Sequence, residues 1–212
     1  MKPTRRGTRS LLVKLIMALA AVGLFLVGYQ WGNQYQFGSA QPPTLSGVMV
    51  RPPQPLPEFV LRDSVGEIFG QSELRDHWSL LAFAPLSGAQ GHRSIARLVE
   101  VYNRLADQHK LRGQLRLLLV SDDSAPQLAR EFEQLSPAIA ILSGEPAAVD
   151  TLRTGVGAGE QPPADELPPI FLIDPQARLV ALFPAAQPAA EIATDVAALA
   201  RWPGLMKTSA DE

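Results

Sequence analysis

The residues able to do chemistry in this sequence are three histidines, His77, His92 and His109, an acidic pair, Asp122-Asp123, and the Ser121 that precedes it. Cysteine is absent, which excludes disulfides, thiolate nucleophiles, cysteine-ligated zinc, iron–sulfur clusters and any dithiol redox cycle. Ser121, Asp122 and a histidine are the residue types of a hydrolase triad, but no Gly-x-Ser-x-Gly turn occurs to hold a serine on a nucleophile elbow. Gly155-Val156-Gly157-Ala158-Gly159 follows a helical pattern rather than a strand, so it does not read as a phosphate cradle. His77, in Arg75-Asp76-His77-Trp78, reads as a solvated turn residue. His109, near the end of a helical pattern, reads as a complement to the helix dipole.

The elements that would position these groups alternate between strand and helix. Residues 59–61 and 68–69 read as short strands around a turn at 63–66. Residues 78–84 (WSLLAFA) form a continuous apolar run, as expected of a central strand buried on both faces. From His92 to His109 the apolar positions Ile95, Leu98, Val99, Tyr102, Leu105 and Ala106 make a helical stripe, with Arg97 and Glu100 off it. Strands are expected at 115–120 and 138–142, and helices at 125–134 and 145–154, the latter with Pro146 in its first turn. A Gly/Pro-rich loop over 155–163 precedes a hairpin (170–173 and 179–183), and a last helix spans 189–201. Strands interleaved with helices and closed by an antiparallel pair imply a mixed central sheet flanked by helices on both faces. A thioredoxin-like α/β fold fits that order.

The charge is split along the chain. Lys2, Arg5, Arg6, Arg9 and Lys14 all lie before residue 40, where there is no acid; the remainder has 14 basic against 21 acidic residues, a net of −7. An acidic domain without a basic stripe is a poor nucleic-acid binder. Behind the basic residues 1–10, residues 11–31 are long and apolar enough to cross a bilayer as one transmembrane helix, with Tyr29 and Trp31 as interfacial aromatics. The positive-inside rule sets the N-terminus in the cytoplasm and the domain in the periplasm of an inner membrane. A signal peptide cleaved at Gly38-Ser39-Ala40 is the competing reading. Residues 32–56, rich in proline, read as a stiff linker, residues 57–203 as the domain, and 204–212 as a flexible tail.

Several stretches taken in order carry a resemblance. They are Pro57-Glu58-Phe59-Val60-Leu61-Arg62-Asp63 with Gly66, Leu74, residues 78–83, Leu119-Val120-Ser121-Asp122, Leu142-Ser143-Gly144-Glu145-Pro146 and Ile170-Phe171-Leu172-Ile173-Asp174-Pro175. Through most of residues 56–185 the chain resembles the Sco/SenC family, thioredoxin-fold proteins anchored by one N-terminal helix that serve copper-site assembly in cytochrome c oxidase. The resemblance puts the family's Cys-x-x-x-Cys pair on Gly88 and His92 and its distal histidine on Glu166. Cu(I) prefers soft thiolate or thioether ligands, so the family's copper site is not expected in its own form. One reading keeps a residual Cu(II) or zinc site, with His92 and Glu166 completed by Asp122 or Asp123; the other leaves an exposed histidine at a helix start and an acid in a loop. Pro169 stands where many thioredoxin-like folds have a cis-proline, against which a trans proline simply starting a strand is the alternative.

The resemblance implies a membrane-anchored, non-catalytic accessory factor in oxidase assembly that acts by binding an oxidase subunit or a copper chaperone, with no cofactor of its own. The alternatives are a weak copper binder using His and carboxylate ligands, and a thioredoxin-like oxidoreductase relative that has lost its activity.

Overall fold

The computed structural model describes residues 42–207, together with Met17 and residues 22–24. The expected anchor over 11–31 lies outside the described residues except at those N-terminal positions; among the described residues no helix is long and apolar enough to cross a membrane.

In chain order the elements are β1 (Val48–Pro55), β2 (Leu61–Arg62), β3 (Ile68–Phe69), α1 (Gln71–Leu74), β4 (Trp78–Phe83), α2 (Ala89–Arg104), α3 (His109–Gln114), β5 (Leu115–Ser121), α4 (Pro126–Leu135), β6 (Ile139–Ser143), α5 (Pro146–Gly155), β7 (Ile170–Ile173), β8 (Arg178–Phe183), α6 (Ala189–Arg201) and α7 (Pro203–Lys207). They build one eight-stranded sheet in the order β1-β8-β7-β4-β5-β6-β2-β3. The centre, β4-β5-β6, is parallel, and β7, β8, β1, β2 and β3 join antiparallel. This is the mixed, helix-flanked sheet expected from the alternation of patterns.

Every residue of β4 is buried. Because successive strand side chains point to opposite faces, Leu80 and Ala82 join one core with α2 and α6, while Leu81 and Phe83 join the other with Leu152 of α5 and Phe69. A strand that feeds two cores has no polar alternation, which is why residues 78–84 read as one apolar run.

Three boundaries differ from expectation. The helix expected from His92 to His109 starts at Ala89, ends at Arg104, and is followed by a separate helix that His109 opens. The break turns the chain so that Leu111 can be buried before β5 begins. His109 therefore sits at the positive rather than the negative end of a helix dipole. Next, the proline-rich segment is not spacer throughout, since Val48–Pro55 is the edge strand of the sheet. Its register with β8 runs Val48↔Leu182 and Met49↔Ala181, then slips before resuming at Gln54↔Leu179. Pro52 and Pro53 fall within the slip. Proline cannot donate to a ladder, so an edge strand with an irregular register is where it is tolerated. Last, the expected tail begins with a helical turn whose Leu205 is buried.

A buried acid fastens the entry to β1. Asp195 in α6 is 3% exposed. Its carboxylate accepts from the Ser46 and Gly47 amides at 3.2 and 2.9 Å and from Gln187 Nε2 at 3.0 Å. Residues 46 and 47 are thereby part of the domain, although no apolar pattern marks them.

Candidate functional site

The chain leaves β4 at Phe83 and reaches α2 at Ala89, and this short connection is held from two sides. From the bend just after β5, Asp123 Oδ1 accepts the Leu86 amide at 2.8 Å and Asp123 Oδ2 the Ser87 amide at 2.8 Å; the hydroxyls of Ser87 and Ser121 also donate to this carboxylate. Burial works against the charged form, but the hydroxyls of Ser121 and Ser87 and the amides of Ser87 and Leu86 outweigh it and lower the carboxyl to about 2. From α2 itself, Gly91 lies against the same connection. A Cβ there would collide with the Pro85 carbonyl oxygen and stand 3.0 Å from Leu86 Cα.

Asp123 is thus a loop fastener, with its oxygens already taken. Its folded pKa lies below the ordinary carboxylate value near 3.9, so its contribution is complete above that value and disappears as pH falls towards 2. Asp123→Asn should cost about 1 kcal/mol at pH 7, once solvent screening is allowed for. The gap between wild type and variant should close between roughly pH 4 and 2; urea unfolding midpoints at stepped pH would show it. A gap that is constant over that range would remove the assigned role.

One stripe of α2 holds the loop that follows α5. Gln90 Nε2 donates to the carbonyls of Pro162 (3.3 Å), Pro163 (3.1 Å) and Glu166 (2.8 Å), and Gln161 Nε2 donates back to Gln90 Oε1 at 3.1 Å. Arg93 donates to the carbonyls of Asp165 at 2.9 Å and Ala164 at 2.5 Å. Arg97 donates to the Pro168 carbonyl at 3.2 Å, and to those of Pro184 and Gln187 at 2.8 Å each. Positions 90, 93 and 97 share a helix face, so one row of side chains donates to these carbonyls, of which those of Pro163 and Pro184 also accept the Glu166 and Gln187 amides. Arg97 is 8% exposed; desolvation lowers its pKa, partly offset by Glu100, and a guanidinium keeps its charge regardless.

The residues singled out in the sequence are placed as follows. Gly88 caps the start of α2. His92 is exposed and packs its ring against Phe132 of α4, with centroids 5.0 Å apart. Glu166 and Asp122 are exposed, and Glu166 is held through its carbonyl rather than its carboxylate. No group of three His, Cys, Asp or Glu residues able to hold a metal ion occurs among the described residues. With no thiolate, one imidazole at a phenyl ring and Asp123 already carrying four donors, the residues present do not fit copper. Pro169 is not a cis-proline: among the described residues the one cis peptide bond is Arg51–Pro52. The Pro168-Pro169 pair runs trans into β7, with the Pro168 carbonyl turned to Arg97. His77 is not a free solvated residue either. Its Nδ1 lies 2.9 Å from the Arg75 carbonyl, and Arg116 donates to its Nε2 at 3.2 Å, so Nε2 accepts and Nδ1 faces an acceptor.

No protein-family model and no curated protein matches the sequence. Solved structures do match. Copper-bound Sco1 of yeast is 15% identical with a TM-score of 0.60, over 76% of this chain and 96% of that one. Apo Sco1 of Thermus thermophilus is 22% identical at 0.58, over 76% and 98%. BsSco, described as a member of the Sco family of cytochrome c oxidase assembly proteins, is 13% identical at 0.57, over 73% and 99%. The domain has the Sco fold.

On this Sco scaffold the start of α2 carries no thiol, so thiol chemistry is excluded there. Its polar side chains bind backbone. Gln90, Arg93 and Asp195 carry no signal in the sequence pattern, and Arg97, expected off the buried stripe of α2, is instead buried on it, because three loop carbonyls take its donors.

Proposed function

We propose that this chain is a membrane-tethered, non-catalytic protein on the Sco scaffold that works by binding another protein during assembly of respiratory cytochrome c oxidase. The basic N-terminus and the apolar run behind it support an anchor in the inner membrane with the domain in the periplasm. The partner is an oxidase subunit or a copper chaperone. The observation that carries this reading is the use made of α2: Gln90, Arg93 and Arg97 pin the loop over 162–168 through its carbonyls, at the place where the family resemblance puts metal-binding side chains. A scaffold kept while its ligand positions become structural retains a surface and loses a reaction.

Deletion of the gene tests this. Oxidase activity should fall, be restored by the full chain, and stay low with a chain truncated after the apolar run. Crosslinking in intact cells should capture an oxidase subunit or a copper chaperone. Unchanged oxidase activity in the deletion strain would reject the assembly role.

A further inference from the structure

In open α/β sheets ligands gather outside the carboxyl ends of the parallel strands, and a small pocket opens there. It has a volume of 30 Å³ and lies between Phe83 at the end of β4, Phe171 and Pro169 at the start of β7, and the loop at Glu160, with Arg153 of α5 in its wall. Its floor is apolar and rigid: Phe83 and Phe171 are buried and meet edge to face, with centroids 6.1 Å apart. Arg153 leans on this floor, its guanidinium carbon 5.4 Å from the Phe83 ring centroid.

Arg153 is poorly satisfied for a group so far removed from water. Its side chain is 17% exposed, yet its one acceptor among the described residues is Asp150 Oδ1 at 3.5 Å, on a carboxylate that is itself 68% exposed. Arg153 Nε has no partner among the described residues. A guanidinium offers five donors in a planar fork, and Arg97, also buried, spends its fork on three carbonyls. Arg153 has a pocket beside it instead.

We propose that this pocket is a carboxylate-binding site, in which Arg153 holds the free acid of a partner protein against the Phe83–Phe171 floor. The space admits a flat group of a few atoms, and a planar carboxylate matches the fork in a way a tetrahedral anion does not. Glu160 on the rim and the net negative charge of the domain favour a single charge over a multiply charged ligand. The inference rests on the binding role proposed above and specifies its chemistry: the acid is either an Asp or Glu side chain or a chain terminus.

The test uses the full chain, labelled with nitrogen-15 and kept in solution with a non-ionic detergent. The Arg153 Nε–H signal is assigned by its loss in Arg153→Lys. Sodium acetate should shift this signal saturably, and sodium chloride at equal ionic strength should not. Arg153→Lys, followed through the amides of Gly159 and Phe171, should weaken acetate by about tenfold or more. Glu160→Gln, at an exposed position that leaves the core untouched, should tighten it about twofold. A trialanine peptide with a free C-terminus, compared with its amide and with an amidated peptide containing one Glu, separates the two sources of carboxylate. No saturable response to acetate, or the same affinity in Arg153→Lys, would leave the pocket to water and overturn the site. If Arg153→Lys does not fold, the Glu160→Gln comparison decides by itself. Client capture failing while acetate binds would remove the assembly role and keep the site; acetate failing while capture succeeds would do the reverse.

Discussion

Gly91→Ala is expected to destabilise the domain by about 2–3 kcal/mol, because the added methyl has no space that a side-chain rotation could open. Its nearest neighbours are backbone, the Pro85 carbonyl and Leu86 Cα. The Leu86 amide beside them is bonded to both Ser121 Oγ and Asp123. The connection from β4 to α2 therefore cannot retreat without breaking its hydrogen bonds, and α2 cannot lift without exposing Ile95, Leu98 and Val101. In an isolated helix the same change would stabilise by roughly 0.8–1 kcal/mol, so the two settings predict opposite signs. Thermal unfolding followed by circular dichroism should show a midpoint lower by about 5–10 °C. An unchanged or higher midpoint would mean that α2 does not sit this closely on residues 85 and 86.

Arg97→Met is the second large effect. Methionine keeps the length and apolar packing of the stem but takes the guanidinium donor from the carbonyls of Pro168, Pro184 and Gln187. The Pro184 carbonyl keeps the Gln187 amide, so the buried carbonyls of Pro168 and Gln187 bear the loss. Abandoned buried acceptors cost about 1–3 kcal/mol each, and removal of an expensively desolvated cation returns part of that, so a net loss of about 2–3 kcal/mol is expected. The pattern matters as much as the size. Those carbonyls lie on two separate connections, one entering β7 and one leading into α6, so hydrogen exchange should quicken at Leu167 and at Gln187 together while β4 and β5 keep their protection. Arg97→Lys should recover only part of the loss, because an ammonium lacks the fork that reaches both connections. Exchange that quickens at only one of the two would show that Arg97 does not link them.

Much of the scaffold was legible because it depends on local pattern. The run at 78–83, the aliphatic strands β5 and β7, the stripe through Ile95 and Leu98 and the turn at 174–177 each carry their own periodicity or turn chemistry, and alternation alone implied a mixed sheet with helices on both faces. The candidate site was less legible. Asp123 and His92 were singled out as possible ligands, and each turned out to have another partner, the Leu86–Ser87 connection for one and Phe132 for the other. β1 was missed because its prolines signal a linker to any local rule, and only β8, more than a hundred residues on, turns that segment into a strand.

Some properties of this protein follow from composition and order alone: without cysteine there is no thiol chemistry, the charge divides into a basic end and an acidic domain, and the elements must stack as an α/β sandwich. The tertiary structure decided what the polar side chains do. A hydrogen bond requires atoms within about 3 Å, and the spacing of residues along the chain does not determine which carbonyls come that near to Gln90, Arg93 and Arg97. The absence of cysteine excludes thiol chemistry. Contacts between residues about 70 positions apart showed that the start of α2 now serves to hold a loop in place.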